Sequence, residues 1–186
     1  MFHALNDFVG TVPAVDWLAR AIVNDYAVPT AMSLAAVALW FAGSTPQERL
    51  RNQRGVIFAA LAILLCNALI KDLSYIYFRP RPFATETVKL LFYRPSVSSF
   101  PSIPVEVAFC FAAGAWYADH RCGMWLGALG SLYALSRVYA GVHFPSDVIA
   151  GAALGAGMVY IIVRLGFAFV PFADWAIRVA QRLKFA

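Results

Sequence analysis

The sequence is organised around the segment Ser136-Arg137-Val138-Tyr139-Ala140-Gly141-Val142-His143-Phe144-Pro145-Ser146-Asp147. It lies between two long apolar stretches, yet it carries a guanidinium, an imidazole and a carboxylate within eleven residues. Charged groups are costly at or near hydrocarbon depth, so such a trio at the end of a membrane helix indicates a functional site. We therefore interpret Arg137, His143 and Asp147 as candidate catalytic residues.

The composition around this segment is that of an integral membrane protein. Hydrophobic residues make up 61% of the 186-residue chain, charged residues only 13%, and the mean hydropathy is +0.67. Soluble domains carry about 25% charged residues. The net charge of +5 comes from basic residues at helix ends and in short loops, where membrane topology and anionic headgroups account for them. We expect membrane lipids and not nucleic acid as partners, and a single domain over residues 1–186.

The apolar stretches predict an all-α, polytopic membrane helix bundle. A spanning helix needs about 17 to 25 residues. The N-terminal stretch Pro13 to Tyr26 has a polar stripe and is expected to lie in the membrane interface, the alternative being a sixth span. The five predicted spans are Ala27 to Gly43, Gly55 to Ile70, Pro104 to Tyr117, Cys122 to Leu135 and Val148 to Val170. Within the last, the spacing of Gly151 and Gly155 predicts close helix packing.

The distribution of basic residues predicts the orientation. Cytoplasmic loops carry an excess of Lys and Arg. Eight basic residues share one predicted side, namely Arg49, Arg51 and Arg54 in a loop, Arg121 in a turn, and Arg164, Arg178, Arg182 and Lys184 in a basic, amphipathic tail. Six fall on the other side, namely Arg20, Arg79, Arg81, Lys89, Arg94 and Arg137. The margin places the side that carries the candidate site outside the cytoplasm.

Alternating topology brings three polar stretches to that outer face. They are Lys71 with Arg79-Pro80-Arg81-Pro82-Phe83, Ser98-Ser99-Phe100-Pro101-Ser102, and the segment from Ser136 to Asp147. Guanidinium groups, a lysine and the backbone N–H groups of a helix that begins near Ser102 would together bind an anion, and phosphate is the expected one.

The spacing of His143 and Asp147 indicates nucleophilic chemistry. They are four residues apart, so on entry into a helix the carboxylate can hold one imidazole nitrogen and leave the other free to attack. An imidazole that faces a cationic pocket suits phosphoryl transfer through a phosphohistidine. We expect neither a metal ion nor a cofactor, because the basic side chains neutralise the developing charge.

The motifs resemble the type 2 phosphatidic acid phosphatase superfamily over roughly Phe2 to Val170. Ser136-Arg137, His143 and Asp147 match its third signature, and the likeness is greatest to undecaprenyl pyrophosphate phosphatases of the bacitracin-resistance type. The resemblance implies a membrane lipid phosphatase of the bacterial inner membrane, with its active site facing the periplasm or exterior. It implies His143 as nucleophile, oriented by Asp147. It assigns phosphate binding to a further set, namely Arg137, Lys71 and Arg81, with donors from Ser102 and Ser136.

The first family signature is altered here. The family has six residues between its Lys and its Arg-Pro, whereas seven separate Lys71 from Arg79 and nine separate it from Arg81. We favour Arg81 as the equivalent arginine, with Arg79 as the alternative. The usual spacing then selects Ser74, which lies one helical turn from Lys71 on the same face.

The second signature is altered more severely, because Pro101-Ser102-Ile103-Pro104 stands where the family has Pro-Ser-Gly-His. The histidine that protonates the leaving group is therefore absent, and general acid catalysis contributes about 10² to 10⁴-fold. A phosphate leaving group tolerates this loss better than an alkoxide, so the substitution favours a polyprenyl pyrophosphate substrate. Glu106 is a possible substitute acid. A phosphatase for another lipid, such as phosphatidylglycerol phosphate or lipid A, and a non-catalytic polyprenyl-phosphate binder or transporter remain alternatives.

Overall fold

The computed structural model describes residues 2–183, and all of the regular secondary structure within this range is helical. The expectation of an all-α bundle is confirmed. The helices are α1 (Phe2–Asn6), α2 (Pro13–Val23), α3 (Ala27–Phe41), α4 (Pro46–Ile76), α5 (Pro82–Thr85), α6 (Ile103–Ala118), α7 (His120–Tyr139), α8 (Pro145–Arg164) and α9 (Gly166–Arg182).

Two of these helices, α4 and α8, are long and apolar enough to cross a membrane. The pair α2 and α3 forms a third candidate span if it is taken as one element, although the two helices are bent by 56° relative to each other. α6 is apolar but shorter, at 16 residues. The chain is therefore a polytopic helical membrane protein, and the count of five spans stays a prediction.

The predicted loop around Arg49, Arg51 and Arg54 is wrong, because these residues lie in the first turns of α4. The helix begins at Pro46 with a capping box in which the Thr45 side chain accepts from the Glu48 backbone N–H while the Glu48 carboxylate accepts from the Thr45 N–H. Such a cap satisfies backbone donors that would otherwise be orphaned, so α4 starts before its apolar run.

The last predicted span is also shorter than expected. α8 ends at Arg164, and α9 begins at Gly166 rather than continuing the same helix to Val170. α9 is attached to α4 by a bidentate ion pair in which the Arg54 guanidinium donates to the Asp174 carboxylate at 2.8 Å. The basic tail is helical to Arg182, and Lys184 lies outside the described residues.

α6 is the centre of the bundle and packs most extensively against α4, α7 and α8. Small residues permit this close packing, as the sequence predicts. A Cβ atom on Gly151 would lie 2.5 Å from the Ser102 carbonyl oxygen, and one on Gly155 would lie 2.3 Å from the Glu106 carbonyl oxygen. α8 therefore lies directly against α6, which brings the start of each helix to the same end of the bundle.

Candidate active site

The polar stretches at the ends of α4, α6 and α7 are in direct contact. The Arg79 guanidinium donates to Asp147 Oδ1 at 2.6 Å, and the backbone N–H of Ser99 donates to the Arg79 carbonyl at 2.9 Å. The N–H of Ser102, which precedes α6, donates to the Asp147 carbonyl at 3.1 Å. Close packing of α4, α6 and α8 therefore joins three segments that are far apart in sequence.

His143 lies in the turn between α7 and α8 and is only 1% exposed. Its Nδ1 is 3.0 Å from the Ser99 carbonyl oxygen, and a carbonyl oxygen can only accept a hydrogen bond. Nδ1 must therefore carry the proton. The other nitrogen, Nε2, is then an acceptor, and Arg81 donates to it at 3.1 Å. The ring presents an unprotonated Nε2 to a guanidinium.

The surroundings of His143 also keep the ring neutral. Burial lowers the pKa of His143 to about 4, with the positive charges of Arg137 and Arg81 adding to the effect and Asp147 opposing it. A neutral imidazole has a lone pair available for attack, whereas an imidazolium has none. The ring is therefore a neutral imidazole at neutral pH, with an Nε2 lone pair that accepts from Arg81.

Asp147 lies farther from the imidazole than its four-residue spacing indicates. The distance between His143 Nδ1 and Asp147 Oδ2 is 3.8 Å, which is too long for a hydrogen bond. Ser99 joins the two residues, because its carbonyl accepts from the ring while its hydroxyl donates to Asp147 Oδ2 at 2.5 Å. The backbone N–H of Phe144 also donates to Oδ2, at 2.9 Å. Ser99 belongs to the predicted second polar stretch, but its role requires the contact across helices.

Two buried arginines supply positive charge beside the imidazole. Arg81 is held by the carbonyl oxygens of Val97 and Val142, and burial lowers its pKa to about 10. Arg137 is 2% exposed and donates to the carboxylate of Asp25, while its Nε has no hydrogen-bond partner among the described residues. Buried donors without partners are costly, so an anion beside Arg137 would be favoured.

Both arginines line a cavity of about 350 Å³. Its wall also includes Asp25, Tyr93 and Pro104. Pro104 is the residue that replaces the acid histidine of the second family signature. Asp25 and Tyr93 have no counterpart in the sequence-based set of site residues. Asp25 joins α2 to α3 and Tyr93 lies in the irregular segment 86–102, so only the tertiary structure reveals their proximity.

Residues 55–171 match the model of the family described as the PAP2 superfamily. The chain belongs to the PAP2 superfamily. This range contains His143, Asp147 and both buried arginines, whereas Asp25 precedes it. Membership in this family confirms the recognition made from the sequence motifs.

Individual PAP2 relatives agree with this assignment. The chain is 27% identical over 164 residues to undecaprenyl-diphosphatase BcrC of Bacillus subtilis (strain 168), an alignment that covers 87% of this chain and 80% of that protein. It is 32% identical over 163 residues to the putative undecaprenyl-diphosphatase YbjG of Escherichia coli (strain K12), covering 86% and 76%. The crystal structure of Aquifex aeolicus LpxE is similar at a TM-score of 0.69 and 26% identity, covering 88% of this chain and 92% of that chain.

The basic residues of the altered first PAP2 signature, Lys71, Arg79 and Arg81, have different contacts. Arg79 forms an ion pair with Asp147 and donates to the Ser146 hydroxyl at 2.8 Å, whereas Arg81 donates to His143 Nε2. Lys71 lines a neighbouring cavity of about 460 Å³ together with Ser74, which agrees with their expected common face. The structure therefore does not place Lys71 in the cavity lined by Arg81 and Arg137.

The two serines expected to donate to phosphate, Ser102 and Ser136, differ in their hydrogen bonds and in their positions. Ser102 is fully buried, and its hydroxyl has no hydrogen-bond partner among residues 2–183, so it is available as a donor. The Ser136 hydroxyl donates at 2.7 Å to the Tyr133 carbonyl within α7, and Ser136 faces a separate depression beside α2. Ser102 lies at the start of α6, and the residues that line the arginine cavity include neither Ser102 nor Ser136.

Glu106 lies one turn deeper in the bundle than Ser102 and is completely buried. Its Oε1 accepts from the Cys110 thiol at 3.0 Å, and Cys66 is close by. These three side chains form a group whose donor atoms lie within 4.8 Å of one another, a donor set that could hold a thiophilic metal ion. The structure places Glu106 against these cysteines and not in the cavity that Pro104 lines.

Proposed function

We propose that this PAP2 protein is a lipid pyrophosphate phosphatase that removes the terminal phosphate of undecaprenyl pyrophosphate and so recycles the cell-wall lipid carrier. The observation that carries the proposal is the unprotonated Nε2 of buried His143, directed at Arg81 beside the cavity shared with Arg137. Two relatives that cover most of the chain are named undecaprenyl-diphosphatase or putative undecaprenyl-diphosphatase, which supports this substrate class.

The proposed reaction proceeds in two steps through a phosphohistidine. Nε2 of His143 attacks the terminal phosphorus, and the bond between that phosphorus and the bridging oxygen breaks to release polyprenyl phosphate. Water then attacks the phosphorus, the P–N bond breaks, and inorganic phosphate leaves. Arg81 and Arg137 bind the phosphoryl oxygens, since guanidiniums match their geometry and charge. A phosphoryl group that enters beside Nε2 takes over the N–H that Arg81 donates to the ring.

Pro104 explains why the substrate should be an anhydride. A proline side chain has no proton to give, so an alkoxide leaving group would depart without acid assistance. The leaving group of a pyrophosphate is itself a phosphate, which carries its negative charge without protonation. The altered second signature therefore supports a pyrophosphate substrate over a phosphate monoester.

The test is phosphate release from a panel of purified lipid pyrophosphates and monoesters in detergent. His143→Ala should abolish release from undecaprenyl pyrophosphate. Pro104→His should restore a donor in the cavity and raise activity on monoesters more than on pyrophosphates. Normal turnover by His143→Ala protein would disprove the mechanism, and a preference for monoesters in the unmodified protein would disprove the substrate.

A non-catalytic polyprenyl-phosphate binder is the second candidate, because the acid histidine is absent. It predicts that the unmodified protein retains the lipid in a binding assay without releasing phosphate. The intact environment of His143 favours the enzyme, since a binder has no need of an unprotonated nucleophile.

We also propose that the protein lies in the bacterial inner membrane with this site facing outward. The basic residues at the start of α4 support a cytoplasmic position for that end. Single cysteines introduced as Arg51→Cys and Thr87→Cys, in a Cys122→Ser background, should react with a membrane-impermeant maleimide from opposite sides. Arg51 and Thr87 are both exposed, whereas Cys66 and Cys110 are buried. Labelling of both from the same side would contradict the topology.

A further inference from the structure

The cavity lined by Arg81 and Arg137 contains a carboxylate that no sequence motif identifies, and Arg81 connects this cavity to His143 through its 3.1 Å contact with Nε2. Asp25 lies at the bend between α2 and α3, and Asn24 fixes this bend because its side-chain oxygen accepts from the N–H groups of Tyr26 and Ala27 at 2.8 and 3.3 Å. The Asp25 side chain is 27% exposed, so solvent reaches it. Asp25 therefore enters the cavity from a part of the chain that precedes the PAP2-matched range.

Two partners fix the orientation of the Asp25 carboxylate. Arg137 donates to Oδ1 at 2.5 Å, and the Tyr93 hydroxyl donates to Oδ2 at 2.5 Å. A carboxylate with donors on both oxygens is held in one position, and each oxygen keeps a further lone pair. The same cavity wall contains Pro104, so the carboxylate and the position of the missing histidine face one space.

We infer that Asp25 is the general base that activates water for hydrolysis of the phosphohistidine. This inference rests on the proposed function. In the second step, a water oxygen forms a bond to phosphorus while one of its protons passes to an Asp25 oxygen. The P–N bond breaks, and its electron pair returns to Nε2 of His143. Inorganic phosphate leaves, and Asp25 gives its proton to solvent before the next cycle.

The other groups near the cavity do not fit this role. Tyr93 is neutral, and its hydrogen bond to Asp25 raises the pKa of its phenol, so it is a donor and not a base. Arg81 and Arg137 have no basic lone pair at neutral pH. Glu106 is wholly buried against two cysteines. Asp25 is thus the anionic group on the cavity wall.

The first step, attack by His143, does not need Asp25, because the polyprenyl phosphate that leaves does not have to be protonated. The family histidine gives a proton in the first step and takes one in the second, as microscopic reversibility requires of a shared acid and base. Pro104 removes both functions. An anhydride substrate makes the first function dispensable, whereas the attacking water still benefits from a base, which Asp25 supplies.

The test is rapid-quench kinetics with undecaprenyl pyrophosphate labelled with ³²P in its terminal phosphate. Asp25→Asn should release a burst of about one polyprenyl phosphate per enzyme and then turn over about 10² to 10⁴-fold more slowly, the usual range for loss of a general base. Acid-labile, alkali-stable ³²P should accumulate on the variant protein. Adding formate to Asp25→Gly protein should speed its dephosphorylation, because a small carboxylate can occupy the vacated space.

Asp16→Asn is the matched control. Asp16 also accepts from a tyrosine, Tyr139, at 2.7 Å, but it does not line the cavity, so its substitution should leave burst and turnover unchanged. An Asp25→Asn variant without a burst, or with only a changed KM, would show Asp25 to be a counter-ion of Arg137 and overturn the inference. Absence of phosphoenzyme in every variant, with normal turnover by His143→Ala, would instead overturn the proposed function.

Discussion

Replacing Ser99 by alanine tests whether this residue links His143, the proposed nucleophile, to Asp147. The substitution removes the hydroxyl that donates to Asp147 Oδ2 at 2.5 Å, but it keeps the backbone carbonyl that accepts from His143 Nδ1. The imidazole tautomer is therefore preserved. What changes is the support of the Asp147 carboxylate, which is left with Arg79 on one oxygen and a single backbone N–H on the other.

The size of the effect follows from the burial and charge of this contact. Ser99 and Asp147 are both fully buried, so water cannot replace the lost donor. A hydrogen bond to a charged group contributes about 1.5 to 3 kcal/mol. Because about 1.4 kcal/mol corresponds to a tenfold change in rate, the loss amounts to about 10 to 150-fold if it falls on the transition state. We expect this loss in kcat rather than KM, since Ser99 does not line the arginine cavity.

The assay is steady-state phosphate release by purified Ser99→Ala protein, with a thermal melt to confirm folding. The neighbouring serine provides a matched control, because the Ser98 hydroxyl donates to the Phe100 carbonyl at 3.3 Å and accepts from the Arg79 N–H at 3.2 Å, both neutral groups. Ser98→Ala should lose less than about fivefold, in line with the smaller contribution of neutral hydrogen bonds. The reasoning is refuted if Ser99→Ala keeps kcat within about twofold of the unmodified protein, or if Ser98→Ala loses as much.

Three further outcomes are expected. In protein with His3→Gln and His120→Gln, an NMR titration should show His143 neutral until the pH falls through about 4; protonation near pH 6.5 would contradict the buried geometry. Gly155→Ala should lower the free energy of unfolding in detergent by about 1 to 3 kcal/mol, because its Cβ would lie 2.3 Å from the Glu106 carbonyl oxygen. Gly157→Ala on the same helix should leave this free energy unchanged, because a Cβ there would have no heavy atom within 4 Å. Glu106→Gln protein should release phosphate at a rate within a few-fold of that of the unmodified protein. A loss of rate above about 10²-fold would instead support Glu106 as the general acid.

The fold class followed from composition because a chain with so few charges has to satisfy its backbone polar groups within helices when it enters a membrane. The helix boundaries were harder to predict from the sequence. The start of α4 is decided by the Thr45 and Glu48 cap and not by hydropathy, and the break at Leu165 falls inside an apolar stretch that looks continuous in sequence. Hydropathy reports the length of apolar sequence, whereas caps and tertiary contacts decide where each helix ends.

The sequence by itself determined the family and predicted His143 as the nucleophile and Pro104 as the position of the absent histidine, because these are properties of residue identity at fixed spacing within short motifs. Only the tertiary structure decided which partner each charge takes. Ser99 lies between His143 and Asp147, and Arg137 pairs with Asp25, which is 112 residues away. Ser99 meets Asp147 because Gly151 and Gly155 let α8 approach α6, whereas Arg137 meets Asp25 because α7 packs against α2 and α3. No local spacing carries that information.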